Sequence, residues 1–158
     1  MRGKYSFWKN WPHYIGQPLG AAALLGLLFF HADYFFSELL VLSLGSSVFT
    51  LAVFPRQPQS SPRHLLGGYA CGVLAGLLLA WLKYLWPETP LFFCLAGAVF
   101  VAILLMLAVN CRHAPGVSLA LAVFFSPEPL TASALAMVSI ALACLVKESA
   151  KRWLKDLA

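Results

Sequence analysis

The sequence predicts an all-α polytopic membrane protein, and three observations carry that reading. First, 61% of its 158 residues are hydrophobic and only 11% are charged, with a mean hydropathy of +0.80. Soluble domains carry roughly 25% charged residues. Second, the apolar residues fall into six separate runs with polar, Pro-containing connectors between them. Third, the cations lie just outside the apolar runs, which is where the positive-inside rule places them. A net charge of +5 is therefore read as a topology signal, and no nucleic-acid partner is expected.

Residues 1–17 interleave Tyr5, Phe7, Trp8, Trp11 and Tyr14 with Arg2, Lys4, Lys9 and His13. Aromatic rings favour the headgroup layer and cations the cytoplasmic leaflet, so this stretch is expected to lie on the inner membrane surface. The transmembrane domain spans residues 18–146, and residues 147–158 form a basic cytoplasmic tail. The first apolar segment, Pro18 to Phe30, is short for a core of about 30 Å unless Tyr14 to Gln17 extend it. No small-residue cleavage site follows it, so it is read as a retained helix rather than a leader. The second segment, Leu39 to Phe54, is interrupted by Gly45-Ser46-Ser47. The third, Leu65 to Trp86, is long enough to span and carries Gly67, Gly68, Gly72 and Gly76 as a small-residue face for close packing. The fourth, Leu91 to Cys111, is free of charge; the fifth, Gly116 to Phe125, is too short to cross as an ideal helix; the sixth is Leu130 to Val146.

Charge counting sets the expected topology. If all six segments cross and both termini are cytoplasmic, every one of the 11 Lys and Arg residues except Lys83 lies inside. Treating the fifth segment alone as re-entrant leaves six of the 11 cations inside, and treating the second and fifth so leaves eight, so the rule favours six crossings. A further pattern accompanies it. Gly45-Ser46-Ser47-Val48-Phe49-Thr50-Leu51-Ala52 resembles Gly116-Val117-Ser118-Leu119-Ala120-Leu121-Ala122-Val123. With six crossings, segments one to three and four to six become a candidate 3+3 inverted repeat, each half holding one short or broken helix. Gly, Ser and aliphatic residues also recur by chance in apolar sequence.

Polar residues beside a forced break mark the candidate site. Between Glu88 and Glu128 the only charged residue is Arg112, inside Asn110-Cys111-Arg112-His113-Ala114-Pro115-Gly116-Val117-Ser118. Pro115 lacks a donor and disfavours helix at Ala114, so a continuous helix is not expected here. If each Gly-Ser element opens a half-helix within the membrane, two N-terminal dipoles and the Ser46, Ser47 and Ser118 hydroxyls could hold a small anion. The expected substrate-binding residues are Gly45, Ser46, Ser47, Asn110, Arg112, His113, Pro115, Gly116 and Ser118. Arg112 either steers anions or is an ordinary inner-loop cation; His113 either titrates near neutral pH or caps the preceding helix. An ordinary interfacial loop accounts for the same stretch.

No His-x-x-x-His pair, Gly-x-Ser-x-Gly elbow or embedded acid pair is present, so an enzyme is not expected. Cys71, Cys94, Cys111 and Cys144 stand singly in apolar segments and are read as small buried hydrophobes, with no metal or other cofactor implied.

The block Arg112-His113-Ala114-Pro115-Gly116-Val117-Ser118-Leu119-Ala120-Leu121 resembles the signature of the HPP family of integral membrane proteins, a His-Pro-Pro motif followed by Ala-Gly-Ala-Thr-Ala-Leu. Leu44-Gly45-Ser46-Ser47-Val48 with Pro55, and then Ser61-Pro62-Arg63-His64-Leu65-Leu66-Gly67-Gly68-Tyr69, are similar to a second family block in the same order. Ala114 stands where the family has its first proline, and Tyr69 where it has histidine. The resemblance implies a membrane transporter or channel for a small anion, nitrite first. The alternative is a structural or assembly subunit that transports nothing. The expected setting is a bacterial inner membrane, with homo-oligomerisation left open.

Overall fold

Proline sets three of the helix starts. The computed structural model of the chain describes residues 7–30 and 38–157. Within these it forms α1 (Phe7–Phe30), α2 (Glu38–Val53), α3 (Pro62–Leu85), α4 (Leu91–Ala108), α5 (Pro115–Phe125) and α6 (Pro129–Ala150), with a 3-10 turn at Pro58–Ser60. Pro62, Pro115 and Pro129 each open a helix, where a missing backbone donor costs nothing and φ is already helical. All six helices are α, and no strand occurs among the described residues.

Helices α3, α4 and α6 are long and apolar enough to cross a bilayer, while α2 and α5 are shorter apolar helices of 16 and 11 residues. Two expected boundaries need correction. Helix α1 does not begin at Pro18 but at Phe7, running through Pro12 and Pro18, so no helix boundary separates residues 7–17 from the apolar run. Its local cost is offset by tertiary anchoring at Gln17. That amide donates to the carbonyls of Ala52 (2.6 Å) and Lys155 (2.9 Å) and accepts from the Lys155 amide at 3.0 Å. The second correction is that α2 is short but unbroken at Gly45. One residue of low helix propensity costs only about 1 kcal/mol, which neighbouring helical bonds readily outweigh. The N-terminal cations Arg2 and Lys4, and Asp33 in the α1–α2 connection, lie outside the described residues.

The contacts at Gln17 also show which helix ends meet. The first half of α1, the end of α2 and the C-terminal tail come together there, and the Arg56 amide reaches the Asp156 carboxylate at 3.0 Å. The α3–α4 connection lies at the other end, where the Lys83 ammonium caps the Pro87 and Thr89 carbonyls at 2.5 and 2.7 Å.

Helix α5 occupies the middle, packed on α2, α3, α4 and α6. It lies there because α3 has no side chains in its way. Gly68 and Gly72 face Gly116 backbone or its neighbours, and Gly76 faces Ala120 and Val123, so the two backbones touch over two turns. A Cβ at Gly72 would strike the Gly116 carbonyl, and one at Gly76 would lie 2.6 Å from the Ala120 carbonyl oxygen. Leu40, Leu44, Leu65, Tyr69, Leu119 and Ile140 close the core around this contact.

Gly45 is the internal comparison, because a Cβ there meets nothing within 4 Å. Gly72→Ala should lower stability by about 1–3 kcal/mol through overpacking, whereas Gly45→Ala should raise it by about 0.5–1 kcal/mol. Thermal unfolding of both variants in the same detergent checks this; equal melting temperatures would contradict the backbone contact.

Candidate functional site

The end of α4 prepares the site. Val109 caps the helix and Asn110 follows with φ 52°. The Cys111 amide then returns to the Met106 carbonyl at 2.9 Å, and the Asn110 amide to Leu107 at 3.2 Å. This is a Schellman motif, and asparagine is one of the few L-residues that adopts its left-handed position. It turns the chain back so that His113 enters the bundle. Gly68 makes room, since a Cβ there would collide with that of His113.

Four side chains from separate parts of the chain converge at this point. Ser43 and Ser47 lie one turn apart on α2, Tyr69 is on α3, and His113 is in the α4–α5 connector. Ser47 Oγ is 2.8 Å from the Tyr69 hydroxyl and 2.9 Å from His113 Nε2. Ser43 Oγ donates to the Pro115 carbonyl at 2.8 Å, tying α2 to the start of α5. The Tyr69 and His113 rings lie 5.8 Å apart, tilted by 36°. Ser43, Ser47 and Tyr69 are 0% exposed and His113 3%, so bulk water does not reach the cluster.

Counting protons orders the network. Ser47 donates its one hydroxyl hydrogen to the Ser43 carbonyl at 3.0 Å. With that hydrogen placed on the Ser43 carbonyl, the Tyr69 hydroxyl and the Nε2–H tautomer of His113 are the matching donors to Ser47. The imidazole lies in a connector outside the spanning helices. Burial, with a smaller effect from His64, lowers its pKa from 6.5 to about 4. It is neutral at pH 7 and gains a proton only on acidification to near pH 4, well below the range expected from the sequence.

The structure gathers some of the expected residues and disperses others. Ser47, His113, Pro115 and Gly116 are buried at or beside the cluster. Ser46 is exposed and bonds back to the Ser43 carbonyl at 3.0 Å; Gly45 is only partly buried within an uninterrupted helix. Asn110 is a helix cap, and the exposed Arg112 points outside the cluster. Ser118 is exposed because α5 buries residues 116, 119, 120 and 123, leaving position 118 on the far side.

The expected pair of facing helix N-termini is also corrected. Only α5 begins here, and its Gly116 and Val117 amides already bond to the His113 and Ala114 carbonyls at 2.9 and 3.0 Å. Ser43 and Tyr69 were not anticipated as site residues. Ser43 could have been found four residues before Ser47, on the same helical face. No described group of three His, Cys, Asp or Glu residues could hold a metal ion, and all four cysteines are free and buried.

An all-helical chain with three helices able to span a bilayer, folded around a sealed polar cluster, is an integral membrane protein. The family model described as "HPP, transmembrane region" matches residues 8–151, and the chain belongs to that HPP transmembrane family. No curated protein and no solved structure matches it.

Tyr69→Phe removes one donor from a buried network and should cost about 1–3 kcal/mol, whereas Ser118→Ala should stay within about 0.5 kcal/mol of wild type. Chemical unfolding in mixed micelles measures both; an unchanged Tyr69→Phe would mean that the hydroxyl carries no net bond energy.

Proposed function

We propose that this protein moves a small monovalent anion across the membrane, nitrite being the candidate suggested by its family resemblance. The observation that carries this reading is the convergence of Ser43, Ser47, Tyr69 and His113 where α2, α3 and the start of α5 meet. All four groups can donate hydrogen bonds, and no described carboxylate joins them. An anion passing here meets neutral donors without electrostatic repulsion from buried acids. The Ser43 and Ser47 hydroxyls bond to the Pro115 and Ser43 carbonyls, so passage requires them to rotate away from these partners. Neutral His113 serves as a donor in this scheme, with no proton exchanged near pH 7.

Nitrite uptake by proteoliposomes tests the proposal directly, at alkaline pH where leakage of nitrous acid is small. Ser47→Ala should lower flux by about tenfold, the factor that corresponds to the loss of one buried bond, while Ser126→Ala at the far end of α5 should leave it unchanged. Equal flux in both variants would move the route elsewhere. No wild-type flux above protein-free vesicles would favour a structural or assembly subunit.

The accompanying topology has six crossings, with both termini on the cytoplasmic side of a bacterial inner membrane. Its support is the charge asymmetry and the meeting of the first half of α1, the α2 end and the tail. That α2 and α5 are the two shortest helices, at matching places in the two halves, supports an inverted repeat. Reporter fusions after Pro58 and after Ala158 should both read cytoplasmic; an exported signal from the second would exclude this arrangement.

A further inference from the structure

A second feature lies away from the polar cluster. Between α1, α2, α6 and the C-terminal tail runs a groove of about 520 Å³, a size that accommodates a small molecule or part of a larger one. Its walls are apolar, with Leu24, Val48, Leu51 and Val146 prominent. Gly16 and Gly20 of α1 also line it, and a Cβ at either would meet nothing within 4 Å. The described residues therefore leave this space unfilled.

One wall of the groove carries a cation. Lys147 lines it and is only 7% exposed. Its ammonium lies 2.8 Å from the Glu148 carboxylate, but Lys151 shares that carboxylate at 3.2 Å, so the local balance stays positive. His13 and Trp153 also line the groove, and Arg152 and Lys155 follow in the tail. An apolar trench beside a basic, aromatic-rimmed helix end matches a lipid whose chain needs an apolar wall and whose headgroup carries negative charge.

We propose that this groove binds one anionic glycerophospholipid, with an acyl chain against Leu24, Leu51 and Val146 and the phosphate at Lys147. A free inorganic anion would leave the apolar walls uncovered. A second copy in the same membrane orientation would bring an equally basic end to the same depth, which Lys147 and Lys151 disfavour.

The test offers the full-length protein, purified in mild detergent, equal amounts of phosphatidylglycerol and phosphatidylethanolamine with identical chains. Native mass spectrometry then counts the lipids retained. Wild type should keep one phosphatidylglycerol in preference to phosphatidylethanolamine. Lys147→Gln should reduce that retention about fivefold, and Lys147→Arg should preserve it. Gly20→Phe should abolish it without lowering the melting temperature, since the new ring enters empty space. Leu104→Phe, on the exposed face of α4, is the control and should retain lipid normally. Equal retention of the two lipids would overturn the proposal, as would retention unaffected by Gly20→Phe. A lipid-free dimer that Gly20→Phe splits into monomers would assign the groove to a second copy and overturn it as well. Should Gly20→Phe unfold the protein, the contrast between Lys147→Gln and Lys147→Arg still decides the outcome.

Discussion

The fold depends on one contact, the backbone of α5 lying directly on the backbone of α3. A membrane offers little hydrophobic drive for helices to associate, because lipid tails are as apolar as leucine. Close packing must supply the attraction, and glycine lets the backbones approach. Gly68, Gly72 and Gly76 repeat at four-residue spacing and present one face to Gly116, Ala120 and Val123. At 11 residues α5 is too short to cross an unthinned bilayer core as an ideal helix, yet it is surrounded by four others. Its position inside the protein is what makes a short helix and its polar start tolerable at that depth.

The polar cluster follows from the same contact. His113 precedes α5 by two residues and Tyr69 follows Gly68 by one, so docking the two helices brings their rings together. Serine on α2 then links the pair to Pro115. The HPP resemblance places histidine where this chain has Tyr69. Tyrosine retains a donor at that position but does not titrate near neutral pH. With His113 depressed to about 4 as well, the cluster holds neutral donors over the physiological range. Hydrogen bonding, rather than a full buried charge, is therefore the chemistry it offers an anion.

Much of this architecture was legible in the sequence where one residue type has one strong local consequence. Pro115 announced an interruption between two apolar runs, and the Gly67–Gly76 row announced close packing. Less was legible where the outcome depends on tertiary context. Gly45 looked like a break, but α2 carries it because helical hydrogen bonds continue on both sides. The apolar run from Pro18 marked only part of α1, which begins at Phe7 and is tied to Ala52 and Lys155 through Gln17. Ser118 lies on the exposed side of α5 for a different reason. Its helix was anticipated, but its rotation is set by which face α3 accepts, and that turns residues 116, 119, 120 and 123 inward.

The distribution of charge links the two halves of the functional argument. The cations of the tail and of the α2–α3 connector gather where the first half of α1 and the α2 end meet, whereas Lys83 lies at the opposite end with its ammonium held by two carbonyls. In the proposed topology the same asymmetry orients the chain, holds anionic headgroups and raises the local concentration of small anions at the inner mouth. These effects fall off with distance from the surface. In the proposed function the buried cluster therefore discriminates by geometry and donor number. Four groups able to donate, with no described carboxylate beside them, suit the proposed small anion because no buried negative charge repels it.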